Sequence, residues 1–521
     1  MTYLCVPIFV ASVAQAKADI ARAAEAGADL VELRIDQFTD EFQLRQLLGE
    51  AVLPCILTCR PEWEGGHSTL NNAERFKVLS IRVGDQPRYI DVELAAVEEY
   101  EFEDEKDDEE EEELRTKIIV SSHDFSGRPA RLYIIASELE DWPGDISKIV
   151  WTARTVRDNI EASDLIRSGQ KPTIALCMGE AGIISRILAK KFGAFLTFAS
   201  LGQGKQTAPG QVPIDDLKRL YRWDAINRQT KVFGVVGSPV AHSMSPAIHN
   251  AAFDETGFNG VYVPLLVNDS YESFKAFMED FLAVEHMDLA GLSITIPHKE
   301  NALRYLTSDS AHVEPMATRI GAVNTIVIGR AGPYATLRGI NTDYAAILDS
   351  ITDAMDIKRE QLADYRVAVI GAGGTGRTAV AALAHYGATV VVYNRTRDRA
   401  EALANEFNGK SGKVVAAPME KLCDSCCQIY IQTTSVGMHP KVDATVFDNK
   451  PPKLTDDTVV FDTVYNPLQT KLLQQAQAAG AKTISGLEMF VRQAAAQFRA
   501  WTGKEPPLAT MRKVVESRLK S

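Results

Sequence analysis

The sequence predicts an α/β protein: an N-terminal (β/α)8 TIM barrel, then a two-domain half made of an open α/β domain and a Rossmann nucleotide-binding domain. Three observations predict it. Through residues 1–224, eight short apolar, β-branched runs alternate with helical patterns, as expected of eight βα units. From residue 231 a second α/β pattern begins. Within it, YRVAVIGAGGTGRTAVAALAHYGATVVVYNRT reads as strand, glycine turn, helix and strand in about 30 residues.

In order, barrel strands are expected in YLCVPIFV, LVELRID, PCILTCR, RYIDVEL, KIIVSSHDF, KIVWTAR, PTIALCMG and FLTFASLG. Segments such as QAKADIARAAEAGA and EAGIISRILAKKFG separate them with apolar residues at helical spacing. A connector, YRWDAINRQTK, spans 221–231. The second half opens with KVFGVVG and continues through GVYVPLLV, LAGLSITIPHK and IGAVNTIVI. The chain is thus expected to divide into a barrel over 1–224, an open α/β domain over 231–335 completed by 485–521, and a Rossmann domain over 336–484. No internal repeat relates the halves, which read as two enzymes joined.

Hydrophobic residues make up 45% and charged residues 24% of the 521, values of a soluble globular protein. No apolar run reaches the roughly eighteen residues of a membrane span. The first strand begins at residue 3, which leaves no room for a targeting peptide and makes the cytoplasm the expected location. The net charge of −13 is concentrated in EEYEFEDEKDDEEEEE at 98–113, thirteen acids and one lysine, and the remainder is close to neutral. That run is expected as a solvated surface helix or a disordered loop. Nothing basic or aromatic-rich suggests nucleic acid. Of seven cysteines, Cys5, Cys55, Cys59 and Cys177 fall in strands as small hydrophobes, and Cys423, Cys426 and Cys427 lack a second ligand pair. Neither a metal site nor a disulfide is expected.

Polar residues inside apolar strands each need a partner or a function. VELRID alternates Glu32, Arg34 and Asp36, which by parity face the lumen. Arg60 ends its strand with Glu64 in the next loop, and His123 and Asp124 end SSHDF. Singly these read as satisfied ion pairs; converging on one barrel mouth, they form a polar site with arginines for an anion and a histidine that shuttles protons near pH 7. Lys148, in ISKIVWTAR, stands at the threshold of an apolar strand, and alone it reads as a strand start whose ammonium snorkels to water. In a lumen beside cationic neighbours it can lose its proton instead. Bringing its pKa from about 10.4 to about 7 costs about 4–5 kcal/mol, which arginines and desolvation supply. The amine then attacks a carbonyl to form a Schiff base. Barrel chemistry gathers toward the strands' C-terminal ends, so either the strand begins earlier, near Ile146, or Lys148 reaches up the lumen.

VELRID, TCRPEWEGG, SSHDF, the lysine of KIVWTA, GIISR and TAPGQ occur in this order, and with them the first half resembles type I 3-dehydroquinate dehydratases over nearly its whole length. The resemblance implies that Lys148 forms an imine with the C3 ketone of 3-dehydroquinate. It implies that His123 takes the C2 proton and assists departure of the C1 hydroxyl as water. Glu32, Arg34 and Arg60 would hold the substrate and orient His123 with support from Glu64, while Arg186 and Gln211 bind the carboxylate and close a lid. Thr207 stands where the family often has serine, and it keeps the hydroxyl.

GAGGTGR supplies G-x-G-x-x-G as Gly371, Gly373 and Gly376, with Ala372, Gly374 and Thr375 between them. It follows a strand and opens a helix, the context in which glycines admit a pyrophosphate and the helix N-terminus stabilises it. Where an acid would select NAD, the chain has Asn394, Arg395, Thr396 and Arg399, which favour the 2′-phosphate of NADP(H). Lys299 ends SITIPHKE, and Asp343 sits in GINTD at a helix start. With GSPVAHSMSP, GAVNT, YNPLQT and GLEMFVRQAAAQF, this half resembles the shikimate dehydrogenases throughout. The resemblance implies that Ser243 and Ser245 bind the substrate carboxylate and that Thr295, Asn324, Asn341, Tyr465 and Gln493 position its hydroxyls. Lys299 and Asp343 would hand a proton to the ketone, with Met438 of TTSVGM near the nicotinamide. On the same analogy the S-x-S pair favours shikimate over quinate.

The two resemblances imply consecutive steps, since 3-dehydroshikimate, the product of the first, is the substrate of the second. Expected partners are NADP(H), 3-dehydroquinate, 3-dehydroshikimate and shikimate, with neither membrane nor nucleic acid. A non-catalytic metabolite sensor is opposed by the joint presence of Lys148, His123, Lys299 and Asp343. A Schiff-base aldolase joined to another oxidoreductase would lack SSHDF, TAPGQ and S-x-S.

Overall fold

The computed structural model describes residues 1–100, 115–202, 204–309, 311–331, 334–409, 412–447 and 451–520. From residue 101 on, the acidic run at 98–113 lies outside the described residues. The chain divides into two compact units, Met1–Ser243 with Asn259–Leu289, and Met244–Phe258 with Ala290–Ser521.

In the first unit, parallel strands β1 (Tyr3–Phe9), β2 (Leu30–Arg34), β3 (Cys55–Thr58), β4 (Tyr89–Glu93), β5 (Lys117–Asp124), β6 (Ile146–Thr152), β7 (Thr173–Met178) and β8 (Leu196–Ser200) coincide with the eight expected runs. They stand side by side in chain order to β7, and β8 returns to pair with β1, so the sheet curls on itself. β7 and β8 meet where the Phe195 amide donates to the Thr173 carbonyl at 2.9 Å. The short β9 (Val212–Pro213) extends the sheet beyond β8. Helices start where side chains cap them: Ser12 ahead of Val13–Glu25, Asp40 ahead of Glu41–Gly49, and Asn71, in a capping box with Glu74, ahead of Asn72–Leu79. The eighth unit departs from the ideal pattern, with short turns at Asp216–Leu220 and Trp223–Ala225 where a barrel helix would follow.

Alternation along the strands layers the lumen. Leu30, Ile56, Tyr89, Ile119, Ile146, Ile174 and Leu196 belong to one apolar cluster. Two residues further along each strand stand Glu32, Thr58, Asp91, Ser121, Lys148, Leu176 and Phe198, all buried. One more step reaches Arg34, Arg60, Glu93, His123, Val150 and Met178. In the two outer layers the lumen is therefore polar from β2 to β5 and at Lys148 of β6, while Val150 and strands β7 and β8 keep it apolar. β6 begins at Ile146, so Lys148 is its third residue and belongs to the middle layer; the earlier strand start is the arrangement found.

The same unit holds the parallel pair β10 (Lys231–Gly237) and β11 (Gly260–Leu266) and the helix Tyr271–Ala283. Lys191 Nζ meets Asp288 Oδ2 at 2.6 Å and His286 Nε2 meets Ser163 Oγ at 2.9 Å, tying this segment to the barrel's outer helices.

In the second unit, β12 (Leu289–Ile294, its first residue at the boundary), β13 (His312–Val313), β14 (Thr325–Ala331) and β15 (Tyr334–Ile340) run in the order β12-β14-β15-β13, with β14 and β15 antiparallel. Strands β16 (Arg366–Ile370), β17 (Thr389–Tyr393), β18 (Lys413–Ala417), β19 (Ile429–Gln432), β20 (Val459–Asp462) and β21 (Lys482–Ile484) form a parallel sheet in the order β18-β17-β16-β19-β20-β21. Counted within the sheet this is 3-2-1-4-5-6, the Rossmann order, whose topological switch falls between β16 and β19. Both faces are covered, so the strands read as continuous Val and Ile runs rather than alternating ones. Among the described residues no helix is long and apolar enough to cross a membrane.

Candidate active sites

Lys148 Nζ donates to Asp91 Oδ2 at 2.8 Å and lies 3.6 Å from Glu32 Oε1 and 4.9 Å from the centre of the Phe198 ring. The expectation of cationic neighbours is corrected here: the nearest charged groups are carboxylates, because the layer that carries Lys148 also carries Asp91 and Glu32. Arg60 stands one shell further out. Its Nη2 bonds Asp91 Oδ1 at 2.5 Å, and its Nη1 bonds Glu93 Oε1 at 2.8 Å and Ser121 Oγ at 2.9 Å. Ser121 donates to Asp91 Oδ1 at 2.6 Å, and the wholly buried Arg75 bonds Glu93 from behind. Burial opposes the charge of Asp91, but Arg60 and Lys148 override it and hold the carboxyl well below the usual range.

Glu64 accepts the His123 amide at 2.8 Å and faces its Nδ1 at 2.8 Å. Burial pushes the Glu64 carboxyl up to about 8, against the pull of Arg60. Burial, then the charges of Arg60 and Lys148, push His123 well below its ordinary value. The contact of Glu64 at Nδ1 leaves Nε2 as the nitrogen that can exchange a proton with a substrate. Arg34 pairs with Asp36 at 2.7 Å and stands over the Phe9 ring. Asp36, which parity assigns to the lumen, instead accepts the Arg60 and His67 amides and fixes the loop after β3. Asp124 holds its own turn through Ser126.

Arg186 is 1% exposed, its Nε has no hydrogen-bond partner, and among the described residues no acid pairs with it. Burial lowers its pKa to about 10. A buried guanidinium without an acid is poised for an anion. Thr207 and Gln211 bond reciprocally, amide to Oε1 at 2.8 Å and Nε2 to hydroxyl at 3.0 Å. The nine barrel residues expected from the sequence, Glu32, Arg34, Arg60, Glu64, His123, Lys148, Arg186, Thr207 and Gln211, line one cavity whose apolar side is Val150, Leu176, Met178 and Phe198. Asp91, Glu93, Ser121 and Arg75 escaped the sequence reading. RYIDVEL carried the signal, since Asp91 and Glu93 alternate in it as Glu32 and Arg34 do in VELRID.

In the second unit Lys299 Nζ bonds Asp343 Oδ2 at 2.6 Å, and each residue stands in the first turn of a helix, Lys299–Ser308 and Thr342–Met355. Asn341 caps the second helix, accepting from the Asp343 and Tyr344 amides, and donates to the Ala322 carbonyl at 3.0 Å. Asn324 accepts the Thr342 amide at 2.8 Å. Both asparagines therefore fix the backbone that aims Asp343. Gln497, also unanticipated, holds Ser293 and Thr325 on the neighbouring strands at 3.0 and 2.9 Å. Thr295 follows β12, where its carbonyl accepts the His298 amide. Tyr465 and Gln493 form a separate cluster on Phe490, the first by ring stacking at 4.9 Å and the second by a bond to its carbonyl. Ser245 opens the helix Ser245–Glu255, and Ser243 ends the N-terminal segment of the first unit.

The glycine loop has the shape its residues require. Gly371 has φ +115°, and a Cβ on Gly376 would lie 2.1 Å from the Gly371 carbonyl oxygen, so helix Gly374–His385 packs against β16 only without side chains there. A Cβ at Gly373 or Gly374 would meet nothing within 4 Å, leaving the backbone open to a pyrophosphate; Thr375 follows in the first helical turn. Asn394 accepts the Ala372 amide at 3.2 Å and donates to the Thr396 carbonyl, bridging this loop to the end of β17. Arg395 and Arg399 are exposed and, among the described residues, enter no ion pair. Met438 is 45% exposed in the loop after β19. These residues fit NADP(H).

A curled parallel barrel with a buried lysine in its lumen, joined in one chain to a Rossmann sheet and a Lys–Asp pair, defines a two-site enzyme of lyase and NADP-linked oxidoreductase chemistry. The family model described as type I 3-dehydroquinase matches residues 4–228, and that of the shikimate dehydrogenase substrate binding domain matches 235–326. Models for shikimate / quinate 5-dehydrogenase and the shikimate 5'-dehydrogenase C-terminal domain match 353–462 and 486–516. The chain is 38% identical, over 97% of its length and 82% of the relative's, to the chloroplastic bifunctional 3-dehydroquinate dehydratase/shikimate dehydrogenase of Arabidopsis thaliana. It is 40% identical to the shikimate dehydrogenase (NADP(+)) of Methanosarcina mazei over 55% of this chain and 97% of that one. A crystal structure of a shikimate dehydrogenase in complex with NADP+ superposes with a TM-score of 0.50 at 34% identity, over 57% of this chain and 98% of the other. The chain belongs to the bifunctional 3-dehydroquinate dehydratase/shikimate dehydrogenase family.

Proposed function

We propose that the chain converts 3-dehydroquinate to shikimate at two sites: dehydration through a Schiff base on Lys148, then NADPH-dependent reduction of the resulting 3-dehydroshikimate. The observation that carries the reading is the barrel cavity, which sets an acid-held amine, the His123–Glu64 pair and an anion-seeking Arg186 around one space. The Lys148 nitrogen adds to the C3 carbonyl, and the resulting iminium acidifies C2. His123 Nε2 takes the C2 proton and returns it to the departing C1 hydroxyl, which leaves as water. Arg186 receives the carboxylate, and Thr207 and Gln211 bring the lid loop onto it.

In the dehydrogenase half, Ser243 and Ser245 take the carboxylate, and Thr295, Asn324, Asn341, Tyr465 and Gln493 orient the ring. The Lys299–Asp343 pair holds the proton for the ketone oxygen. NADP(H), when bound, supplies the hydride. Gly371, Ala372, Gly373, Gly374, Thr375 and Gly376 would seat its pyrophosphate, Asn394, Arg395, Thr396 and Arg399 its 2′-phosphate, and Met438 its nicotinamide. The working parts are a barrel over 1–224, a substrate domain over 231–335 with 485–521, and a nucleotide domain over 336–484. A reducing compartment, the cytoplasm, suits a chain whose seven cysteines are all free thiols.

Borohydride reduction in the presence of 3-dehydroquinate tests the reading. Mass spectrometry should find the reduced adduct on Lys148, and an adduct on another lysine overturns it.

A further inference from the structure

The barrel lumen contains more charge than the reaction described above uses. Around the Lys148 nitrogen stand Glu32 from β2, Arg60 and Glu64 beyond β3, Asp91 and Glu93 from β4, His123 from β5, and the buried Cys5 thiol from β1. The four carboxyls are not equivalent. Glu93 is neutralised from two sides by Arg60 and Arg75. Glu64 is committed to His123, and Glu32, which accepts from Thr58 Oγ1 at 3.0 Å, stands 3.6 Å from Nζ. Asp91 alone is split between two tasks. Its Oδ1 is gripped by Arg60 at 2.5 Å and by the Ser121 hydroxyl at 2.6 Å, while Oδ2 is presented to Nζ at 2.8 Å. The carboxylate is wholly buried, and the grip on Oδ1 stops it from turning away.

We propose that Asp91 is the fixed counter-ion of the Lys148 nitrogen, opposing the one positive charge that it carries as the resting ammonium and again as the substrate iminium. The proposal rests on the Schiff-base reading of the barrel site. The chemistry balances in this form: an ammonium and a ketone give an iminium and one water, the C–O bond breaks as the C–N double bond forms, and two ammonium protons leave on the oxygen. The nitrogen carries a single positive charge at both ends of that step. A carboxylate held in place therefore needs no reorganisation as the imine forms. It also keeps the imine protonated, which is what lets it draw electrons from C2.

The test uses full-length wild-type protein and D91N, with dehydratase kcat measured against pH. Removing the opposing charge makes the iminium lose its proton more easily, so the alkaline limb of the profile should move down by about 1–3 pH units. At pH 7 kcat should fall at least about tenfold. Reduction of supplied 3-dehydroshikimate should be unchanged, which reports on the second unit, and an unchanged circular dichroism spectrum and urea midpoint report that the barrel is folded. An alkaline limb that stays in place, even with a lower kcat, overturns the proposal by reducing Asp91 to a structural part. S121A, which loosens the grip on Oδ1, should shift the limb the same way by less, and a limb unmoved there also overturns it if D91N does not fold. Borohydride trapping of the wild type separates the two levels. An adduct on Lys148 with an unmoved limb rejects the counter-ion alone, whereas no adduct on Lys148 rejects the Schiff-base reading and the counter-ion with it.

Discussion

Two lysines, Lys148 and Lys299, each meet an aspartate within 2.8 Å, and the difference in their surroundings explains two kinds of chemistry. The side chain of Lys148 is 4% exposed and sits in a layer of buried charge locked by Arg60, Arg75, Glu93 and Ser121. The side chain of Lys299 is 24% exposed and has one carboxylate, aimed by two asparagines at a helix start. A nitrogen that bonds covalently to its substrate must be held in one place, with its charge compensated throughout. A group that passes one proton needs a partner of fixed geometry and access to water to regain it. The barrel nitrogen is buried and held by several charged groups, and the dehydrogenase pair is half-buried.

The sharpest way to break the comparison is to exchange the losses. K148A should abolish dehydration by about 10⁴-fold or more and leave reduction of 3-dehydroshikimate intact; K299A should do the reverse. Separate spectrophotometric assays of each half check this, and a loss that crosses from one half to the other contradicts it. R186A comes next. Arg186, buried in the cavity and without an acid among the described residues, should contribute about 1.5–3 kcal/mol to holding the substrate anion, so dehydratase kcat/KM should fall roughly 10- to 150-fold, chiefly through KM.

The pair Glu64–His123 yields a pH prediction. Glu64 has a folded pKa of about 8 against 4.5 ordinarily, so the folded chain binds the extra proton and stability falls as pH rises through that window. His123 is depressed below its ordinary 6.5, which makes stability rise with pH up to that value. Below pH 6.5 the two slopes oppose each other, and from 6.5 to 8 the Glu64 slope stands alone, at up to about 1.4 kcal/mol per pH unit. Urea midpoints at pH 6.5 and 8 should differ in that sense for wild type and converge in E64Q; an equal slope in both proteins contradicts the pairing. The smallest effect belongs to the exposed Arg395 and Arg399. Alanine at both should lower the preference for NADPH over NADH roughly fivefold, read as a ratio of kcat/KM values.

Much of this was legible in the sequence because its signals are local. Eight apolar runs announced eight strands, and GAGGTGR after YRVAVI announced the Rossmann turn, since both follow from backbone sterics and periodicity. Parity placed Glu32 and Arg34 in the lumen correctly. It failed for Asp36, which lies beyond the end of β2 where alternation no longer applies. The carboxylate environment of Lys148 was missed for a different reason: Asp91 and Lys148 are 57 residues apart, and only the curl of the sheet brings them to 2.8 Å. Arg75, in the helix Asn72–Leu79, carries no local signal of a role, yet it is fully buried behind Glu93. Ion-pair networks depend on register across several strands, which a single chain's composition does not encode.

The most direct measurement is NADPH absorbance after the purified chain is mixed with 3-dehydroquinate and no other enzyme. Two working sites predict a lag while 3-dehydroshikimate accumulates, followed by a steady fall. An unchanging absorbance with 3-dehydroquinate, while 3-dehydroshikimate is reduced normally, would contradict the assignment of Lys148 and its cavity as a dehydratase.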